Sequence, residues 1–364
     1  MGAERDYAGF EPLFAVGAFI AASAPSGFSF TYTAANITLA AAVGFGAGLY
    51  SCRNRASRQV TRSAVMFLAL SVGIFCGLNG RITDISGSER TLPKAVAGLC
   101  TYLKEAIDRI PFSNHDTNAL IKALLTGDRN SLPLNIIQSF RESGASHILA
   151  LSGLHLGIIY GIISKIMSIF GNTIWAKKVR SITTIVLCTL YTLATGAGSS
   201  ITRALIFIIL REIGKMSARS TDLKTVLNRS LLIQLAIRPT DITDIGFQLS
   251  YAAMAGIAYI HPHLKGIWTD NEGGHLLKLI WDAAALTISC QLTTGPLAYF
   301  HFKSFPVYFI LTNLLALPLT SILIPVSILT LTLNSAGLCP EILTETCEKT
   351  ASCLIFILET ISAL

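Results

Sequence analysis

"SHILALSGLHLGIIYGI" runs from Ser146 to Ile162. Its apolar content suits the interior of a bilayer, yet Ser152 and His155 stand at its middle, beside Gly153, Gly157 and Gly161. Each helical residue advances about 100°. Read as one continuous helix, the stretch lines the three glycines on one face and sets Ser152 and His155 nearly opposite. The glycine face suits close packing on another helix. The serine and histidine need polar company, because an unsatisfied polar group in hydrocarbon is costly.

The composition of the whole chain agrees with a lipid environment. Of 364 residues, 52% are hydrophobic and 13% charged, and the mean hydropathy is +0.58. A soluble domain is about one-quarter charged. These values point to an integral membrane protein. A spanning helix needs roughly 20 mostly apolar residues. Apolar stretches predict spans at 12–24, 34–50, 63–79, 146–170, 181–196, 200–214, 225–238, 245–260, 276–300 and 307–333. The expected fold class is all-α, a polytopic transmembrane bundle of about 10 spans with amphipathic surface helices.

Charge sets the expected orientation. Leu13 to Ala22 followed by Ser23-Ala24 resembles a signal peptide, but Glu4, Asp6 and Glu11 give its leading segment the wrong sign. A short first membrane helix is expected there instead. Basic residues gather in cytoplasmic loops. Arg53, Arg55, Arg58 and Arg62 crowd one loop, Lys177, Lys178 and Arg180 another, and Lys215, Arg219 and Lys224 a third. The predicted spans put all three loops on one side and the N-terminus in the cytoplasm. Residues 81–143 then fall outside, with eight basic and seven acidic residues that nearly cancel. Amphipathic helices are expected there at 94–110, 116–126 and 133–143, forming a collar on the outer surface. The domains read as 1–80, N-terminal transmembrane helices; 81–143, external helices and loops; 144–335, transmembrane core; and 336–364, a C-terminal amphipathic or membrane helix.

Two further spans carry polar stripes. Asp244, Gln248, Tyr251 and Ala255 share a face of "DIGFQLSYAAMAGIAYI"; Thr287, Gln291, Thr294, Ala298 and His301 share one of "TISCQLTTGPLAYFHF". With Ser152 and His155 these stripes predict one hydrated lumen. Arg203, just inside a span, is expected near its outer mouth. Asn313, Pro318 and Pro325 in "LTNLLALPLTSILIPVSIL" suggest a broken or re-entrant helix, tolerated at that depth only where it is buried in protein or lines water. The eight cysteines show no CxxC spacing, so neither a disulfide framework nor a metal site is expected, and no cofactor is.

Four stretches, "HILALSGLHLGI", "LYTLATGAGSSITRALI", "DIGFQLSYAAMAGI" and "FILTNLLALPLTSILIPVSIL", resemble in that order the competence domain of ComEC-type proteins. "LLTGDRNSLP" resembles that family's lead-in, and the likeness covers roughly residues 118–335. It implies a competence-type channel core in a bacterial inner membrane, conducting single-stranded DNA into the cytoplasm during natural transformation, with Arg203 the expected phosphate contact near the outer mouth. The family's OB-like external domain and its metallo-β-lactamase-like domain are not matched. His261-Pro262-His263 is an HxH, but no Asp-His follows it. A short form without those domains is expected, calling for a separate OB-like DNA-binding protein, a nuclease and a cytoplasmic helicase. Membrane lipid is the other expected partner.

Two other classes compete. An ion-coupled solute transporter would use Asp244 or His155 as proton carrier, but the inverted repeats that favour one are not evident. An intramembrane serine hydrolase would use Ser152 as nucleophile and His155 as base. "LALSGL" lacks the glycine two before the serine that marks such sites, so the chain is expected not to be an enzyme.

Overall fold

The structure is a computed structural model that describes residues 69–74, 94–171, 173–217, 222–268, 275–303 and 306–364. The spans expected at 12–24 and 34–50, the basic loop 51–62, and most of the span at 63–79 lie outside them. Among the described residues all regular structure is helical. Two units are distinguished, one of 1–91 with 222–252, the other of 92–221 with 253–364.

The larger unit opens with α1 (Lys94–Asp108), α2 (His115–Thr126) and α3 (Leu134–Glu142), close to the three helices expected there. Local chemistry sets their ends. Asn114 caps α2 by accepting from the Asp116 N–H at 2.9 Å, and Gly127 ends it in the left-handed conformation, φ 78°. Asp128 then accepts from the Asn130 N–H at 3.1 Å and pairs with Lys104 at 2.6 Å. The Lys104 ammonium, with that N–H, holds the Asp128 carboxyl below the usual carboxylate range. Instead of presenting one buried stripe, α2 is enclosed. Ala119, Leu120, Ile121, Ala123, Leu124 and Leu125 are all buried. They form one core with Phe140 of α3, with α12 (Phe309–Ser335) and with α13 (Glu341–Ser362).

The stretch expected as one span at 146–170 is instead broken. A single turn, α4 (Ser146–Leu149), is followed by extended backbone at Ala150 (φ −72°, ψ 127°), and α5 (Gly153–Met167) starts afresh. Antiparallel to α5 run α6 (Ile174–Ala194) and then, back again, α7 (Ser199–Met216), around a core of Leu156, Cys188, Ile201, Leu205 and Ile208. The far end of α6 meets the first helices: the Tyr191 hydroxyl donates to the Leu125 carbonyl at 2.8 Å, and Cys100 Sγ to that of Leu193 at 3.4 Å.

Prolines behave differently from expectation. Helix α12 runs unbroken through Pro318 and Pro325, and α11 (His275–Phe302) through Pro296. A membrane helix tolerates proline where neighbouring groups re-satisfy the freed backbone. The re-entrant reading of 307–333 is thereby corrected. Near its start α12 docks on the turn before α4. The Thr312 hydroxyl donates to the Ser143 carbonyl at 2.8 Å, and Gly144 (φ 83°) lies so close to Pro306 that a Cβ there would sit 2.7 Å from the proline's own.

The smaller unit, among its described residues, holds the helical stretch 69–74, α8 (Leu223–Ile237) and the first part of α9 (Ile245–Ala255). Ala69, Leu235 and Phe247 form its core. A π-helical turn, Gly256–Ile260, follows α9 and leads to α10 (His261–Lys265) in the larger unit. Pro262 accounts for the widened turn: a proline cannot bond four residues back, and its ring crowds that carbonyl. The His261 N–H reaches five residues back, to Gly256.

By length and composition two described helices can cross a bilayer, Gly153–Phe170 and Phe309–Ser335. The other described helices do not meet both conditions, so a bundle of about 10 spans is a finer statement than the fold itself supports.

Candidate functional site

The chain break at 150–152 gives the serine–histidine pair a task. Ser152 is the N-cap of α5. Its Oγ accepts from the Leu154 N–H at 3.2 Å, while its own N–H donates to His155 Nδ1 at 3.3 Å, with Oγ 3.2 Å from that nitrogen. This is a capping box, in which the cap and the third helical residue satisfy each other's neighbouring N–H groups. Histidine takes the place usually held by Glu or Gln, and so accepts the bond without bringing a carboxylate into apolar surroundings. With Nδ1 accepting, the neutral ring carries its proton on Nε2, a buried atom with no partner among the described residues.

The faces of α5 are also exchanged relative to the continuous-helix reading. His155, Leu156 and Ile159 are buried, and the glycines are exposed. A Cβ on Gly153 would meet Ala204 Cβ at 3.4 Å. One on Gly157 or Gly161 would meet nothing within 4 Å among the described residues.

The remaining expected residues have local surroundings. Asp244 is exposed and caps α9, its two oxygens accepting from Gly246 (3.3 Å) and Phe247 (3.2 Å). Gln248 donates to the Ile242 carbonyl at 2.9 Å, and Tyr251 bonds Gln234 at 2.9 Å and Ser230 at 3.1 Å on α8. On α11, Thr294 donates to the carbonyl of Cys290 at 2.8 Å. Gln291 lines an otherwise largely apolar cavity of about 400 Å³, with Leu292, Pro296, Tyr299 and Phe309 among its walls. Arg203 is buried in α7, 5% exposed. Asn313 Oδ1 on α12 is buried without a partner among the described residues.

The densest polar cluster was not expected from sequence. Glu212 on α7 is 3% exposed. Its Oε1 accepts from the Tyr160 hydroxyl (2.6 Å) and the Lys215 ammonium (2.7 Å), and its Oε2 from the Ser181 hydroxyl (2.6 Å). Lys215 also donates to the Tyr160 oxygen at 2.6 Å. One carboxylate thus ties α5, α6 and α7 together near the cationic start of α6. The available signal was an acid inside an expected apolar span with a lysine three residues on, where an ionisable residue is by default a functional candidate.

Comparison with known proteins gives this arrangement a context. A family model described as "Competence protein" matches residues 124–364, from the end of α2 through α13. The chain is 26% identical over 203 residues to ComE operon protein 3 of Bacillus subtilis (strain 168), covering 56% of this chain and 25% of that protein. It is 25% identical over 225 residues to Uncharacterized protein YcaI of Escherichia coli (strain K12), covering 60% of this chain and 30% of that one. Each match therefore spans less than a third of the relative's own length. No solved structure matches.

Proposed function

We propose that this chain, which belongs to the competence protein family, is the multi-pass inner-membrane core of a DNA-uptake system and conducts single-stranded DNA into the cytoplasm. The observation that carries the proposal is the family match over 124–364, which takes in the capped start of α5, the Glu212 cluster and the closing helix. The polar stripes carry less of it, because Asp244, Gln248, Tyr251 and Thr294 each have a partner close by.

The helices support membrane residence. Trp175, Val179, Ile182, Val186 and Leu190 are exposed along α6, at intervals of a helical stripe, as a lipid-facing side requires. The cations Lys177, Lys178 and Arg180 stand at one end of that stripe, and α1 and α2 meet the other. That separation favours a cytoplasmic cationic end and an external first group of helices. The partners we propose for this role are an OB-like DNA-binding protein, a nuclease and a cytoplasmic helicase.

The test is uptake of labelled DNA into a nuclease-protected cytoplasmic pool. Deleting the gene should abolish it and restoring the full chain should return it. Unchanged uptake in the deletion strain would refute the proposal. Proton-driven accumulation of a small solute by reconstituted chain, with uptake intact in the deletion strain, would instead establish a transporter.

A further inference from the structure

The start of α6, with the neighbouring ends of α5 and α7, forms a surface that is both cationic and greasy. Between Gly153 and Ser217 the chain holds one acidic residue, Glu212, and that carboxylate is engaged by Lys215, Tyr160 and Ser181. Lys165, Lys177, Lys178, Arg180 and Arg211 consequently have no carboxylate partner among the described residues. The Glu212 cluster draws together the three helix ends that carry them; the Arg211 guanidinium is 5.9 Å from the Tyr160 ring centroid. Interleaved with these charges are large apolar side chains, Ile169 at 81%, Phe170 at 71% and Trp175 at 78% exposed.

We propose that this surface binds the headgroups of anionic phospholipids, a reading that rests on the chain's residence in a membrane. Two features favour lipid over a nucleic-acid strand. Aliphatic side chains as exposed as Ile169 and Val179 gain from hydrocarbon, whereas a strand offers bases and phosphates. The Lys178 ammonium also stands 5.8 Å from the Trp175 ring centroid, and interfacial tryptophans sit at headgroup level. The charge that has no carboxylate partner among the described residues is complementary to acidic lipid, and cations near such a surface each contribute to attraction.

The full chain is reconstituted in phosphatidylcholine bilayers holding a minor fraction of brominated phosphatidylglycerol or of brominated phosphatidylcholine, and Trp175 quenching is obtained by difference from Trp175→Phe. Phosphatidylglycerol should quench better, with a local enrichment of roughly fivefold or more. The advantage should vanish in the Lys177→Gln/Lys178→Gln/Arg180→Gln variant and shrink in high salt. Equal quenching by the two lipids, or an advantage that survives the triple variant, overturns the proposal. Quenching by neither lipid in chain that resists alkaline carbonate extraction would mean that the surface faces protein or water, and also overturns it. Displacement of the phosphatidylglycerol signal by a single-stranded oligonucleotide would assign the surface to nucleic acid. Release of the chain by carbonate would refute membrane residence itself, a distinct failure.

Discussion

Replacing Glu212 tests whether one buried carboxylate holds α5, α6 and α7 together. Glu212→Ala removes the acceptor for Tyr160, Ser181 and Lys215. A hydrogen bond to a charged group contributes about 1.5–3 kcal/mol, and stranding a buried partner adds its desolvation. Lys215 has a side chain 41% exposed, so it regains water and its share falls toward the 0–1 kcal/mol of a surface pair. Ser181 is 3% exposed and has no such recourse. The sum is about 2–4 kcal/mol, or a fall of about 3–5 °C in apparent Tm for a chain of 364 residues. Glu212→Gln, which keeps one acceptor, should lose about half as much. Lys215→Met alone should cost about 1–2 kcal/mol by leaving the buried carboxylate on its two hydroxyl donors. The double variant Glu212→Gln/Lys215→Met should then be less damaged than the sum of its parts by at least about 1 kcal/mol. Tryptophan-fluorescence melting of the detergent-purified chain, at one fixed scan rate, measures all four. No shift in Glu212→Ala, or additivity to within about 0.5 kcal/mol, would refute the reasoning.

Ser152→Ala should cost about 1 kcal/mol as a lost helix cap, and His155→Gln, which preserves the capping box, should be milder than His155→Leu in the same melting assay. Gly144→Ala adds a Cβ 2.7 Å from that of Pro306 at a positive φ and should cost about 1–3 kcal/mol, read as loss of melting temperature and of folded yield. Because the carboxyl of Asp128 is held low by Lys104, its stabilisation is complete above the unfolded value of about 3.9 and disappears as pH falls through the folded value. Asp128→Asn should therefore melt lower at neutral pH and lose less on acidification below about pH 4, as melting curves across pH would register.

Helix positions were the most legible part of the sequence, because apolar blocks are separated here by strong punctuation. Gly127, Pro133, the Gly196-Ala-Gly198 turn and Pro340 each stand at a boundary that the apolar pattern also marks. The break at Ala150 to Ser152 is not legible in the sequence because Ala150 and Leu151 are as apolar as their neighbours, and because the capping partner of Ser152 is His155 where Glu or Gln is the usual signal. Prolines misled in the other direction: Pro318 and Pro325 read as interruptions, yet the packing around α12 keeps it whole. Asp244 looked like part of an intramembrane stripe, since helical periodicity does not distinguish a stripe residue from an exposed cap at the stripe's end. Of the Glu212 cluster, spacing offers only the i,i+3 pair with Lys215. Its hydroxyl partners lie 52 and 31 residues away along the chain, and only the antiparallel course of α5, α6 and α7 brings them to one carboxylate.

The same cluster has a consequence for how the protein is made. α7 carries Arg203, Arg211, Glu212 and Lys215 toward its two ends, where a charge costs a lone inserting segment less than the roughly 2.5–3.5 kcal/mol of a central position. Glu212, however, is buried among the neighbouring helices. If α7 entered lipid alone, that carboxylate would arrive without its donors. Tyr160 and Ser181, both synthesised earlier, already offer Glu212 its donors by the time it arrives. In the membrane-embedded reading α7 therefore partitions against a waiting α5–α6 hairpin, and biogenesis of this part of the chain is vectorial, with each helix made acceptable to the bilayer by those translated before it.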